Sequence, residues 1–353
     1  MRGSGGKMRA AVIRNMPRRI EIEEMDIPVC KKEEVLVEIR ACGLCGSDVH
    51  GFLDEESKGR VEGLVMGHEP SGIVAACGEA AGRFQSGDRV VIDPQFSCGE
   101  CYACRHSWFN ICEEGGIIGS GLRGFRQGAM AEYVVVPEKN LHRLPDGLSF
   151  EEGAMIEPVA NAIHAVNRAG IKLGDKVAVM GAGTIGLCML QAAKMAGADK
   201  VAVIDVSDFH LKLAKELGAD LLINSRECDP VETVRDCFGS IGADVTLEAV
   251  GIGETYRQAA LMTRKRGTLV LFGAAKETAL MHLYPFLHRE LNLTGCTGFD
   301  VEVDIGLNML ERGQMKVKPL ITHRFPLEET ALAIRTAVDE KDKVLKALII
   351  NED

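Results

Sequence analysis

The chain lacks an excess of basic residues. Its 41 lysines and arginines are outnumbered by 51 aspartates and glutamates, for a formal net charge of −10. That balance excludes the basic footprint of a nucleic-acid partner. It also lacks any run of about 18 apolar residues, so no segment is expected to span a membrane. The opening Met1-Arg2-Gly3-Ser4-Gly5-Gly6-Lys7 is polar and without the apolar stretch of a secretory signal. It reads as a flexible leader or an expression scar, with a natural start expected at Met8. No internal repeat, low-complexity tract or coiled-coil heptad is visible. What is left is an ordinary soluble composition, 46% hydrophobic and 26% charged over 353 residues, and two domains are expected from the length. Cysteine is plentiful. Twelve of them without a secretory signal point to thiols and metal in a reducing cytoplasm, not to disulfides.

One stretch organises the rest. Lys176-Val177-Ala178-Val179-Met180 reads as a buried parallel strand and breaks into Gly181-Ala182-Gly183-Thr184-Ile185-Gly186, a G-x-G-x-x-G turn. A helical pattern follows from Leu187 to Ala196 and stops at Gly197. Gly181 permits the tight turn, Gly183 lets backbone N–H groups approach a pyrophosphate, and Gly186 allows helix and strand to pack closely. The phosphates would sit on the positive end of the helix. The next apolar strand, Lys200 to Ile204, ends at Asp205, where a carboxylate accepts hydrogen bonds from an adenosine ribose and repels a 2′-phosphate. The expected cofactor is NAD in preference to NADP.

Around this turn the texture changes along the chain. Up to about Val91 short β-rich runs alternate with glycine turns, as in a small, mainly antiparallel barrel-like domain. From about Phe150 strands alternate with helical segments: 177–180, 201–204, 221–223, 244–247 and 268–272. That alternation predicts an α/β fold, a doubly wound parallel sheet with helices on both faces. A helical piece near Val303–Arg312, an amphipathic helix near Leu327–Asp339 and a last strand from Lys346 to Ile350 complete the reading.

Cys98-x-x-Cys101-x-x-Cys104, followed by Cys112, is the most specific pattern in the chain. Four thiolates at this spacing suit a closed tetrahedral structural zinc; free thiols and an iron–sulfur cluster are the alternatives. Upstream lie Cys42-Gly43-Leu44-Cys45-Gly46-Ser47-Asp48-Val49-His50 and Gly67-His68-Glu69-Pro70, and later Ile156-Glu157-Pro158. Taken singly, His68 reads equally as a core histidine, Glu157 as a surface acid and Cys45 as a small buried hydrophobe.

In combination these motifs, with Gly87-Asp88-Arg89-Val90 and Val317-Lys318-Pro319-Leu320-Ile321-Thr322-His323-Arg324-Phe325, resemble the zinc-dependent medium-chain dehydrogenase/reductase family, in its polyol (sorbitol-type) branch. The resemblance covers essentially the whole chain from Met8. It implies a GroES-like catalytic domain (1–153 and 298–353) with a Rossmann domain (154–297) inserted, and an active site in the cleft between them. It implies two zinc ions: one catalytic, on Cys45, His68 and Glu69 with Glu157 ligating directly or through water, and one structural, on Cys98, Cys101, Cys104 and Cys112. Ser47 matches the family's proton-relay hydroxyl, His50 its terminal base, and Asp48 the acid that orients the ligating histidine. The expected activity is hydride transfer between a small secondary alcohol or polyol and NAD, by a cytoplasmic homotetramer or homodimer.

Two departures bear on substrate. The branch's polyol-holding Arg-Tyr pair falls near Gly298-Phe299, and its aromatic pair after His50 is Gly51-Phe52. The loop Gly119–Gly128 is longer than usual, and its Arg123 and Arg126 either meet an anionic group such as a sugar phosphate or stay solvated. His210 stands where relatives often hold an Arg beside the adenosine ribose. The competing readings are an L-threonine dehydrogenase-like or other vicinal-diol or amino-alcohol dehydrogenase, and a non-catalytic dinucleotide-binding protein.

Overall fold

Glu34–Leu44 is an 11-residue strand, long enough to take two partners along one edge. Glu69–Cys77 pairs antiparallel on one side, while Tyr133–Pro137 and Lys346–Ile350 share the other. Its Val35, Val37 and Ile39 are buried, as the alternation of apolar and polar residues requires in a sheet with one face on the core. The computed structural model describes residues 6–15, 18–54, 57–274 and 283–351; the first five residues of the polar leader lie outside the described residues.

The chain forms two units: Met1–Glu157 with Val303–Glu311 and Leu320–Asp353, and Pro158–Glu302 with Arg312–Pro319. The first is built on a seven-stranded sheet in the order Ile321–Pro326, Lys346–Ile350, Glu34–Leu44, Glu69–Cys77, Arg89–Ile92, Leu141–Arg143, with Tyr133–Pro137 beside Glu34–Leu44. Its core gathers Val37, Ile39, Val74, Ile92, Leu141 and Ile349. The final amphipathic segment splits into a 3-10 turn, Leu327–Glu329, and the helix Thr330–Asp339.

The second unit is a six-stranded parallel sheet in the order Leu221–Asn224, Lys200–Asp205, Lys176–Met180, Ala243–Glu248, Thr263–Leu271, Asn292–Gly295. Val177, Ala178 and Val179 are fully buried, because helices on both faces leave no solvent side for a polar residue to occupy. Strand order reverses between Lys176–Met180 and Ala243–Glu248, the crevice where such sheets bind ligands. The fold class is therefore the doubly wound α/β sheet with a second, mainly β unit.

The unit boundaries fall at Glu157/Pro158 and Glu302/Val303, several residues beyond 153/154 and 297/298. Segment 312–319 belongs with the parallel sheet rather than with the catalytic unit, because Gln191 accepts from the Lys316 N–H at 2.8 Å and donates to its carbonyl at 3.2 Å. Glu302 stays with the parallel sheet for a similar reason. It accepts from His164 Nδ1 at 3.0 Å and Asn167 at 3.1 Å. Burial opposes its charge, yet His164, the Asp300 N–H and Asn167 hold its carboxyl at about 2.

Candidate metal centre and nucleotide site

In the first unit three strand ends converge. Cys45 follows the strand Glu34–Leu44 and is the N-cap of the helix Gly46–Leu53. Glu69 opens its strand opposite Gly43, and Lys346 opens the strand whose Ala347 pairs with Leu44. The Cys45 sulfur, a His68 ring nitrogen and a Glu69 carboxylate oxygen all lie within 4.8 Å of one another. A Cβ on Gly43 would overlap the Glu69 carboxylate, so glycine is what lets that acid fold back over the strand. One sulfur, one nitrogen and one oxygen donor fit a zinc that keeps a coordination position open.

Asp48 braces this group. It is fully buried; its Oδ2 accepts from the Cys45 N–H at 3.1 Å, and its Oδ1 accepts from Arg60 Nη2 at 2.8 Å. His68 Nδ1 stands 3.5 Å from Oδ1, which leaves Nε2 as the nitrogen available to a metal. Burial opposes the charge on Asp48 and His68 alike. Their mutual attraction, with Arg60 assisting one and Cys45 the other, outweighs it: the Asp48 carboxyl lies well below the usual carboxylate range and the His68 imidazolium well above the usual histidine range. A metal here competes with a proton on His68.

Two cations at the site escaped the sequence reading. Lys346 is buried and its Nζ donates to both oxygens of Glu69, at 2.8 and 2.6 Å. Burial works to lower this ammonium, but Glu69, Cys45 and Glu157 overcome it and hold it above the usual lysine value. A lone lysine opening the buried run Lys346–Ile350 was the available signal. Arg60, in a glycine- and charge-rich stretch, offered none. Removing it exposes what it does: Arg60→Met is expected to weaken zinc binding by roughly 10- to 100-fold, measured by chelator competition, with Arg60→Lys in between. Unchanged affinity would show that Asp48 needs only the Cys45 N–H and His68.

Of the four expected ligands of the catalytic metal, the structure gathers three. Glu157, half-buried in the first turn of the helix Ile156–Ala169, lies outside the group and is felt through its charge on Lys346. Ser47 and His50 are exposed and three residues apart on the helix Gly46–Leu53, hence on one face of it.

The second cluster is Cys98, Cys101, Cys104 and Cys112, whose sulfurs also lie within 4.8 Å of one another. The separations are 3.5 Å for Cys98–Cys112, 3.8 Å for Cys101–Cys112 and 3.9 Å for Cys98–Cys104. A tetrahedron of thiolates about 2.3 Å from zinc has edges of about 3.8 Å, so the four sulfurs already stand where such an ion needs them. Backbone N–H groups point at the thiols: those of Glu100 and Cys101 lower Cys98, and those of Cys104 and Glu113 bring Cys101 to about 6, while burial raises Cys104. The long loop joins this lobe. Arg123 donates to the Cys112 carbonyl at 3.0 Å, and the Arg126 guanidinium lies 4.3 Å from the Phe96 ring centre. Arg123 stays exposed, while Arg126 is half-buried against Phe96.

In the second unit the strand Lys176–Met180 turns at Gly181, with φ of +99°, and Gly183 is the N-cap of the helix Thr184–Met195. The helix therefore starts at Thr184, before the expected Leu187, and takes in Ile185 and Gly186. The N-cap makes no side-chain hydrogen bond to it, and the positive end of such a helix favours an anion. A Cβ on Gly183 would meet nothing within 4 Å, the open approach a pyrophosphate needs. A Cβ on Gly186 would overlap the Gly181 carbonyl. Asp205 ends its strand and accepts from the Ala182 N–H at 2.6 Å, and from Val206 and Ser207 at 2.8 and 2.9 Å. Burial opposes its charge, but His210 and the N–H groups of Ala182 and Ser207 lower the carboxyl, so it is ionised at neutral pH. His210 Nδ1 is 3.6 Å from Asp205, and its buried Nε2 has no partner among the described residues. An orphaned ring nitrogen beside this carboxylate fits a ribose hydroxyl as its missing partner.

Two family models match the chain. Residues 31–146 match the alcohol dehydrogenase GroES-like domain, and residues 184–311 match the zinc-binding dehydrogenase domain. The chain belongs to the zinc-binding alcohol dehydrogenases. It is 32% identical to a sorbitol dehydrogenase of Bacillus subtilis, over 97% of each chain. An oxidoreductase of unknown specificity from Escherichia coli superposes with a TM-score of 0.93 at 31% identity, over 99% of this chain and 100% of that one. A zinc-binding dehydrogenase from Sinorhizobium meliloti, solved with NADP, gives 0.90 at 30% identity over 98% and 100%. As a member of this family the chain is a zinc-dependent oxidoreductase that acts on an alcohol with a nicotinamide dinucleotide. Among the described residues no helix is long and apolar enough to cross a membrane.

Proposed function

We propose that this dehydrogenase exchanges a hydride between a neutral secondary alcohol, of the polyol class, and NAD. The observation that carries the reading is the donor set of Cys45, His68 and Glu69, braced by Asp48, together with an ionised Asp205 in the turn that would take the adenosine ribose. Cys45, His68 and Glu69 would hold a zinc whose Lewis acidity would act on the alcohol oxygen, and a dinucleotide bound at the Gly181–Gly186 turn would supply the hydride chemistry. The chain's own residues do the rest. Asp48 fixes the His68 ring so that Nε2 would be free to hold the metal, and Lys346 neutralises part of the buried acid load. Ser47 passes the alcohol proton on and His50, exposed on the same helix face, hands it to solvent. Cys98, Cys101, Cys104 and Cys112 hold a zinc that stabilises their loop. A neutral substrate is favoured by the contacts of Arg123 with the Cys112 carbonyl and of Arg126 with the Phe96 ring. Phe299 is fully buried and offers no polar replacement for the branch's Arg-Tyr pair, so the polyol differs from sorbitol in the groups that are gripped.

Initial rates with polyols, sugar phosphates, vicinal diols and amino alcohols, each with NAD and NADP, test this. NAD is expected to be preferred. Asp205→Ser with an arginine introduced beside it is expected to shift the kcat/KM ratio toward NADP by roughly 30- to 100-fold, the equivalent of about 2–3 kcal/mol in a charge-assisted contact. A wild type that already prefers NADP, or one faster on a sugar phosphate than on its parent alcohol, would overturn the corresponding half of the reading.

A further inference from the structure

Glu248 is a buried acid that none of the chemistry above uses. It ends the strand Ala243–Glu248 at the point where strand order reverses, opposite Met180 in the register. Its side chain is fully buried, and no cation pairs with it among the described residues. One oxygen, Oε1, accepts three hydrogen bonds: from the N–H of Val250 at 3.0 Å, the N–H of Gly251 at 2.9 Å and the Thr255 hydroxyl at 2.7 Å. The other, Oε2, has no partner among the described residues and lies against Gly273, where an added Cβ would come within 2.7 Å of it. The Glu248 carbonyl accepts the N–H groups of Phe272 and Gly273 at 2.9 and 3.0 Å. One residue thus ties the turn after its own strand to the end of the neighbouring strand.

That turn borders the nucleotide turn. A Cβ on Gly181 would meet Val250 Cγ2 at 2.8 Å, so residues 249–251 form the far wall of the crevice that Gly181 opens. A buried carboxylate without a countercharge costs stability, and a neutral side chain could fill the space. Retaining one is explained if its geometry, three donors on a single oxygen, serves the site. A doubly wound sheet carries two mononucleotide-binding halves that meet at the switch point. Asp205 stands in the adenosine half; the half that begins with Ala243–Glu248 is left for the nicotinamide nucleotide.

We propose that Glu248 is a positioning residue for the nicotinamide half of the cofactor: by gathering Val250, Gly251 and Thr255 on one oxygen it holds the 249–251 turn against Gly181. The inference rests on the dinucleotide reading above. It is tested by binding rather than turnover, with NADH and AMP as the two probes, followed by NADH fluorescence and by calorimetry. In Glu248→Ala, NADH is expected to bind roughly ten-fold or more weakly, while AMP, which lacks the nicotinamide half, binds within about two-fold of wild type. Glu248→Gln keeps an oxygen for the three donors and is expected to recover most of the loss. Should Glu248→Ala fail to fold, Thr255→Val removes one donor from the same oxygen and is expected to give a smaller, still NADH-selective loss. Equal weakening of NADH and AMP would reduce Glu248 to general support of the unit and overturn the proposal, as would no change for either probe. A wild type that binds AMP but not NADH would overturn the dinucleotide reading and this one with it.

Discussion

Cys45→Ser is expected to lower kcat/KM by roughly a thousandfold or more while leaving the protein folded. Cys45 supplies the only sulfur in the donor group with His68 and Glu69, and a Lewis-acid centre contributes several kcal/mol of transition-state stabilisation, each 1.36 of which is about tenfold in rate. The fold should tolerate the change because Cys45 is half-buried and caps the helix Gly46–Leu53, a position where serine is favoured. His68→Ala is expected to be equally inactive but less stable, since it leaves the fully buried Asp48 with Arg60 and one backbone N–H as partners. Metal analysis separates the two roles: inactive protein should keep about one zinc, held by the four-cysteine lobe. Substantial turnover by Cys45→Ser would remove the three-donor group from the reaction.

Cys101→Ser should do the reverse. Its sulfur stands 3.8 Å from that of Cys112 and accepts the Cys104 N–H at 3.5 Å, so losing it opens the tetrahedron from within. Metal held by such a lobe is linked to folding. A loss of about 3–4 kcal/mol corresponds to a fall in Tm on the order of 10 °C for a unit of this size. Arg123 binds the Cys112 carbonyl, so the loop 119–128 should loosen with it and become the first site of proteolysis. Residual specific activity per folded molecule is expected to remain near wild type. Wild-type protein that is active with a single zinc would overturn the structural-metal assignment.

Features written contiguously in the chain were legible before the structure. The nucleotide turn is one: strand, glycines, helix and acid lie between Lys176 and Asp205, and local backbone geometry alone dictates Gly181 and Gly186. The alternation of strands and helices beyond Phe150 likewise implied the parallel sheet, because burial on both faces leaves a near-continuous apolar run in each strand. The four-cysteine lobe was legible for the same reason, its ligands being close enough in sequence to close on one ion. The grouping of Cys45 with His68 and Glu69 came from resemblance to a family, not from spacing, and on residue type alone each had an ordinary alternative.

What the tertiary structure decided is what depends on pairing across long separations. Lys346 meets Glu69 from 277 residues away only because the last strand adds beside Glu34–Leu44. Arg60 reaches Asp48 through a loop that has no periodicity to read. Arg123 and Arg126 could not be assigned from their charge, since nothing in the loop's composition shows that one meets the Cys112 carbonyl and the other the Phe96 ring. Segment 312–319 joined the parallel sheet through two hydrogen bonds to Gln191, a side chain that local pattern marks only as helical. Sequence periodicity reports which face of an element is buried; it does not report which distant charge will be buried against it. That choice is made when the strands pair, because an ionic group withdrawn from water must find its partner in whatever the fold brings near.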